Sequence, residues 1–149
     1  MYLSSTINDG CTRQVPAYCL SKDIKTTLVT NTLHILKSNQ KYKITKVALF
    51  HSYQGVQNTS FDLKEELVKQ ELIQSMSRRG NCWDNTFQES FYGHMKDEFR
   101  LDSCKTFSEV KEEIYSYIEY YKRFRYQWDL EQMAPDEYYI YKTTGNKPY

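Results

Sequence analysis

No charge of one sign dominates this chain: 20 lysines and arginines stand against 19 aspartates and glutamates, for a formal net charge of +1. A balance so near zero supplies no long-range field toward a polyanion, so any nucleic-acid contact has to come from local patches. No run approaches the roughly 20 apolar residues that a membrane helix needs. No secretory leader is visible either, so the expected compartment is the cytoplasm. The four cysteines, Cys11, Cys19, Cys82 and Cys104, form no C-x-x-C pair. That favours reduced thiols acting as small apolar residues over a disulfide framework. Internal repeats and low-complexity segments are missing as well. What is present is 149 residues of 40% hydrophobic content, sized for one globular domain with a core of its own.

Two short β-prone runs, Tyr2 to Ile7 and Val15 to Leu20, flank the turn signal Asn8-Asp9-Gly10 and predict a hairpin, with Pro16 at an edge or a bulge. From Asp23 to Ser38, Ile24, Leu28, Val29, Leu33 and Leu36 recur at helical spacing behind Asp23 as N-cap. The compact run Lys46 to His51 has the pattern of a strand buried on both faces in a mainly parallel sheet. A helix from about Phe61 to Gln70, capped by Thr59 or Ser60, and a brief strand from Leu72 to Met76 complete an α/β alternation. Phe87, Phe91, Met95 and Phe99 mark one face of a further helix over Asp84 to Arg100, with Glu89 off that stripe. Thr106-x-x-Glu109 has the form of a capping box, and Val110, Ile114, Tyr117, Ile118 and Tyr121 carry a long helix to about Arg125. Beyond Pro135 the chain is Tyr-rich and polar, with a short helix expected around Asp136 to Tyr141.

Three ordered segments carry chemistry: His51-Ser52-Tyr53-Gln54-Gly55-Val56-Gln57-Asn58-Thr59-Ser60, then Ser75-Met76-Ser77-Arg78-Arg79-Gly80-Asn81-Cys82-Trp83-Asp84-Asn85, then Gln88-Glu89-Ser90-Phe91-Tyr92-Gly93. Together, with family-like spacing, they resemble the integrase-like catalytic core of insertion-sequence transposases of the DDE type. The family pattern reads H-S-D-x-G-x-Q-Y-T-S, S-M-S-R-x-G-N-x-x-D-N and x-E-S-F-[FY]-G. Tyr120-Tyr121 and Arg125-Tyr126-Gln127-Trp128 are similar to its later tail. The resemblance extends over nearly the whole chain. It implies a bacterial cytoplasmic protein with an RNase H-like fold, a mixed sheet with helices on both sides, in which the first strand is central, between the second and the fourth. That first strand precedes the segment resembling Tyr2 to Ile7, so it is expected to be missing here. The implied division is a core over residues 1–130 and a tail over 131–149.

The implied activity is DNA cleavage and strand transfer in DNA transposition, with three carboxylates holding two Mg²⁺ ions. Glu89 matches the glutamate of that triad and is the retained acidic and metal position. Counting back 35 intervening residues, 54 through 88, reaches Tyr53, where the family has its second aspartate. A phenol with a pKa near 10 offers Mg²⁺ no anion at neutral pH, so tight metal binding is not expected. The first aspartate belongs to the missing strand, and Asp9, the only nearby carboxylate, falls in the hairpin turn. The chain is therefore read as a catalytically inactive remnant; the alternative is a non-catalytic module that binds DNA or an intact transposase, or self-associates. Arg78 and Arg79, Asn85, and the cluster Lys122, Arg123 and Arg125 with Tyr126 and Trp128 are the candidate DNA contacts, the basic groups acting on phosphates without reading sequence. For each the competing reading is plain: a solvated basic face, or helix capping for Asn85 and Asp84. His51 reads either as a substrate contact or as a satisfied group closing a strand.

Overall fold

In the computed structural model, residues 3–22, 26–42, 44, 48–52, 60–76 and 86–148 are described. They form β1 (Leu3–Ile7), β2 (Ala17–Ser21), α1 (Thr26–Ser38), β3 (Leu49–Ser52), α2 (Phe61–Lys69), β4 (Ile73–Met76), α3 (Thr86–Glu98), α4 (Phe107–Arg123) and α5 (Pro135–Thr144). The chain divides into two compact units, one of residues 1–7 and 16–90, the other of residues 8–15 and 91–149.

The first unit holds two two-stranded sheets. β1 and β2 pair antiparallel with Ile7 opposite Ala17, and β3 and β4 pair parallel with Leu49 opposite Ile73. The parallel pair needs a crossover, which α2 supplies. Ser60 starts α2 as anticipated, its Oγ accepting from the Leu63 N–H at 3.3 Å. The periodic apolar residues then do what their spacing demands. Leu33 and Leu36 of α1 and Leu63 and Leu67 of α2 close on Ala17 and Leu72, with Ile7, Val29, Ala48 and Phe50 packed against them. A single core thus lies beneath both sheets. Polar contacts fix the α1–α2 join: the Gln70 side-chain amide donates to the Leu33 carbonyl at 3.2 Å and to Glu66 at 2.9 Å, and Glu66 also meets His34 at 2.9 Å.

The expected hairpin of β1 and β2 is present, joined through a longer loop that Asp9 opens by accepting from the Cys11 and Thr12 N–H groups at 2.7 and 3.0 Å, an Asx-type arrangement. Two sequence expectations need correction. Pro16 sits at neither an edge nor a bulge; it precedes β2, and its carbonyl accepts from the Asn39 side chain at 3.0 Å. β3 is not buried on both faces, since Leu49 is 68% exposed. Only its alternate face, with Phe50, meets the core. Asp23, the expected cap of α1, lies outside the described residues.

The second unit is built on aromatic packing. Phe91 and Met95 of α3 are buried, as are Val110, Ile114, Tyr117, Ile118 and Tyr121 of α4. Phe91 stands edge-on to Tyr121 with ring centroids 4.9 Å apart, and Phe99 edge-on to Tyr117 at 5.0 Å, geometries that suit aromatic quadrupoles. The capping box is as expected: Thr106 Oγ1 accepts from the Glu109 N–H, and Glu109 accepts from the N–H groups of Lys105 and Thr106. α4 stops at Arg123, two residues before the expected end. α5 begins with Pro135 at its first position and ends at Gly145, whose φ of 77° closes the helix with an N–H bond to the Tyr141 carbonyl. Cys11, Cys19 and Cys104 are free thiols, and Cys11 is exposed, so it is no core residue. No helix among the described residues is long and apolar enough to cross a membrane.

Candidate functional site

Glu89 lies in the first turn of α3, exposed to solvent. Backbone N–H groups at a helix N-terminus favour a negative charge there, which is one reason a carboxylate is tolerated at this point. What holds that turn in place is the residue before it. The Gln88 side-chain amide donates to the Thr6 carbonyl at 3.2 Å and also to the Thr6 hydroxyl, tying the start of α3 to β1. Sequence reasoning missed this anchor, because an isolated glutamine beside a motif carboxylate has no periodicity to betray a partner 82 residues away.

His51 pairs with Ser75 across the parallel strands, Nδ1 to Oγ 3.1 Å, at the register position that sets those residues opposite each other. That satisfies the imidazole structurally. Tyr53, Arg78, Arg79 and Asn85 lie outside the described residues, as do Asp84 and Asn58. Among the described residues no group of three His, Cys, Asp or Glu side chains is gathered to hold a metal ion. Of the two positions that the sequence resemblance sets against the family's acidic triad, Glu89 is a carboxylate and Tyr53 a phenol.

The basic cluster is present, yet much of its charge is already engaged. Lys122 and Arg123 share one carboxylate, Glu119, at 3.6 and 3.2 Å. Arg125 meets Glu98 through Nη2 at 2.9 Å and through Nε at 3.0 Å. Burial pulls the Arg125 guanidinium down, but the hydrogen bond and charge of Glu98 outweigh it and leave the group raised above its ordinary value. Arg123, with 62% of its side chain exposed, is the member of the cluster most open to a ligand; Lys122 and Arg125 are 15% and 19% exposed.

Comparison with known proteins gives this arrangement a context. The integrase core domain family matches residues 70–135. A putative transposase of insertion sequence element IS150 from Escherichia coli is 36% identical over 139 residues, 93% of this chain and 48% of that protein. The transposase of insertion sequence element IS904 from Lactococcus lactis is 31% identical over 145 residues, 96% of this chain and 56% of that protein. The chain therefore spans about half the length of these curated relatives. Among solved structures, the catalytic core domain of BIV integrase aligns with a TM-score of 0.65 at 15% identity, covering 97% of this chain and 95% of that one. At that identity the match speaks to fold alone, and the fold is the RNase H-like integrase core.

Proposed function

We propose that this chain, an integrase core of the insertion-sequence transposase family, serves DNA transposition as a DNA-contacting core that does not itself cut or join strands. The family depends on divalent metal for that chemistry, so the metal ligands decide the matter. One feature of the sequence carries the reading: a tyrosine, Tyr53, stands 35 intervening residues before Glu89, where the family resemblance sets a carboxylate. A neutral phenol contributes neither the charge nor the hard oxygen that activates an attacking or a leaving oxygen between two metal ions. Glu89 in the first turn of α3, whose start Gln88 ties to β1, supports the view that a site scaffold is retained without its chemistry. Arg78, Arg79 and Arg123 are the cations assigned to DNA phosphate and Asn85 to phosphate or to a ligand of the site, while Lys122 and Arg125, held by Glu119 and Glu98, support the cluster from within.

The test is a strand-transfer assay with Mg²⁺ or Mn²⁺ on duplexes carrying the element's end sequence. Purified chain is expected to show no joined product above the background set by Glu89→Gln. Product from the unaltered chain that Glu89→Gln abolishes overturns the reading.

A second reading, association with another integrase core, is favoured by the β3–β4 face. Parallel strands are ordinarily covered on both sides, yet Leu49 and Ile73, cross-strand neighbours, are 68% and 51% exposed. Sedimentation is expected to show concentration-dependent dimers that Leu49→Glu dissociates. Monomer at every concentration rules that association out.

A further inference from the structure

Burial runs opposite to hydropathy just after α4. Arg125 is half-buried on Glu98, and Gln127 is 9% exposed, its side-chain oxygen accepting from Arg13. Between and around them Phe124, Tyr126 and Trp128 are 64%, 62% and 84% exposed. Polar side chains point in and aromatic rings point out, alternating residue by residue. Leaving three large rings in water forfeits the burial each would otherwise contribute, and three such rings on one short stretch are more than scattered surface apolarity.

The stretch is also held in shape. The Gln127 N–H bonds the Met133 carbonyl at 3.1 Å, and the Gln127 carbonyl accepts from the Gln132 N–H at 3.0 Å. Glu131 and Gln132 adopt φ of 53° and 63° to make that return, a left-handed backbone that costs non-glycine residues energy and persists only where the surroundings enforce it. Rings fixed on such a frame lose little freedom on meeting a ligand.

Charge narrows the ligand. Lys122, Arg123, Arg125, Arg13 and Lys147 face Glu119, Glu98, Asp129 and Glu131 in the ion pairs around this stretch, five positive against four negative charges. The surplus of one lies at the head of the row of rings, where Lys122 and Arg123 share Glu119. Here the exposed chain neighbours of the rings are Arg123, Asp129, Glu131 and Gln132.

We propose that Phe124, Tyr126 and Trp128 form a stacking ladder for unpaired DNA bases, with Arg123 meeting a phosphate at its head. The proposal rests on the DNA-contacting reading above and deepens it by naming the form of DNA. Aromatic rings capture bases by their flat faces, and in a duplex those faces are already stacked on neighbours. Single strands are therefore bound in preference to duplex. With one surplus cation, the salt dependence is shallow, because few counterions are released.

The experiment measures fluorescence anisotropy of a labelled twelve-residue oligothymidylate and of a duplex of equal length, titrated with the full chain. The ladder requires tighter binding of the single strand and a logarithmic salt slope of about −0.7. Trp128→Ala and Tyr126→Ala each weaken single-strand binding on the order of tenfold, and Trp128→Phe restores most of the loss. These rings are exposed, so the variants keep the fold; circular dichroism checks it. Duplex binding without single-strand binding, or single-strand binding that Trp128→Ala leaves intact, overturns the ladder while the DNA reading stands. Failure to bind either form overturns both. Loss of self-association in Trp128→Ala with unchanged DNA binding assigns the rings to a second protein copy and likewise overturns the ladder.

Discussion

Tyr117 carries a hydroxyl that its own packing leaves unused. The residue is fully buried, it packs against Phe91, Phe99 and Tyr121, and its Oη has no hydrogen-bond partner among the described residues. A buried polar atom without a partner forfeits its hydration, a cost of about 1 to 3 kcal/mol. Tyr117→Phe removes the atom and keeps the ring, so urea denaturation is expected to show a gain of about 1 kcal/mol. The same burial raises the phenol above its ordinary value of 10.0, with the Glu98 charge adding to the effect. The folded state thus favours the neutral phenol. That contribution is complete below pH 10 and is lost as pH climbs past the unfolded value, because the unfolded chain then ionises first. The gain from Tyr117→Phe should therefore widen above pH 10, and a constant difference between variant and parent across that range would rule this out.

At the scale of elements, most of what could be read in the sequence was local. α1, α3 and α4 followed from apolar spacing, the start of α2 from its capping residue, and the start of α4 from Thr106-x-x-Glu109, because a capping box is made by residues three apart. Thr106→Ala removes the acceptor for the Glu109 N–H and is expected to cost about 1 kcal/mol. Thr106→Ser keeps it and should be near neutral, and equal losses in the two variants would show that the methyl group, not the cap, is what matters. Less legible were features set by tertiary partners. A compact apolar run identified β3 as a strand, but the exposure of Leu49 depends on which face meets the core. The sequence revealed the basic-aromatic cluster after α4 but not that Arg125 faces inward to Glu98, a partner 27 residues distant. Of the candidate site, the placement of Glu89 near the start of a helix was legible from the apolar stripe that follows it. The anchor through Gln88 was not, since nothing in a motif records its bond to Thr6.

On the scale of the molecule, the two compact units are interleaved along the chain: residues 8–15, the loop between β1 and β2, belong with residues 91–149. Polar contacts account for much of that membership. Arg13 meets Asp129 at 2.9 Å and Gln127 at 3.4 Å, and the Gln14 side-chain amide donates to Asp136, in the first turn of α5, at 2.7 Å. The two anchors are unequal. Asp129 is 73% exposed, so its pair with Arg13 is screened by solvent and contributes little. Gln14 is 1% exposed, and its bond goes to a carboxylate, so its removal leaves Asp136 without that donor. Gln14→Ala is expected to cost about 2 kcal/mol, and Asp129→Ala, which removes only the screened pair, well under 1 kcal/mol. Because the lost bond belongs to the second unit, hydrogen exchange in Gln14→Ala should accelerate first across α5 and the Leu130–Met133 segment, with β1 and β2 slowest to respond. Uniform acceleration over both units would mean that the loop serves the hairpin that carries it as much as the helix it grips, and the assignment of residues 8–15 to the second unit would lose its energetic meaning.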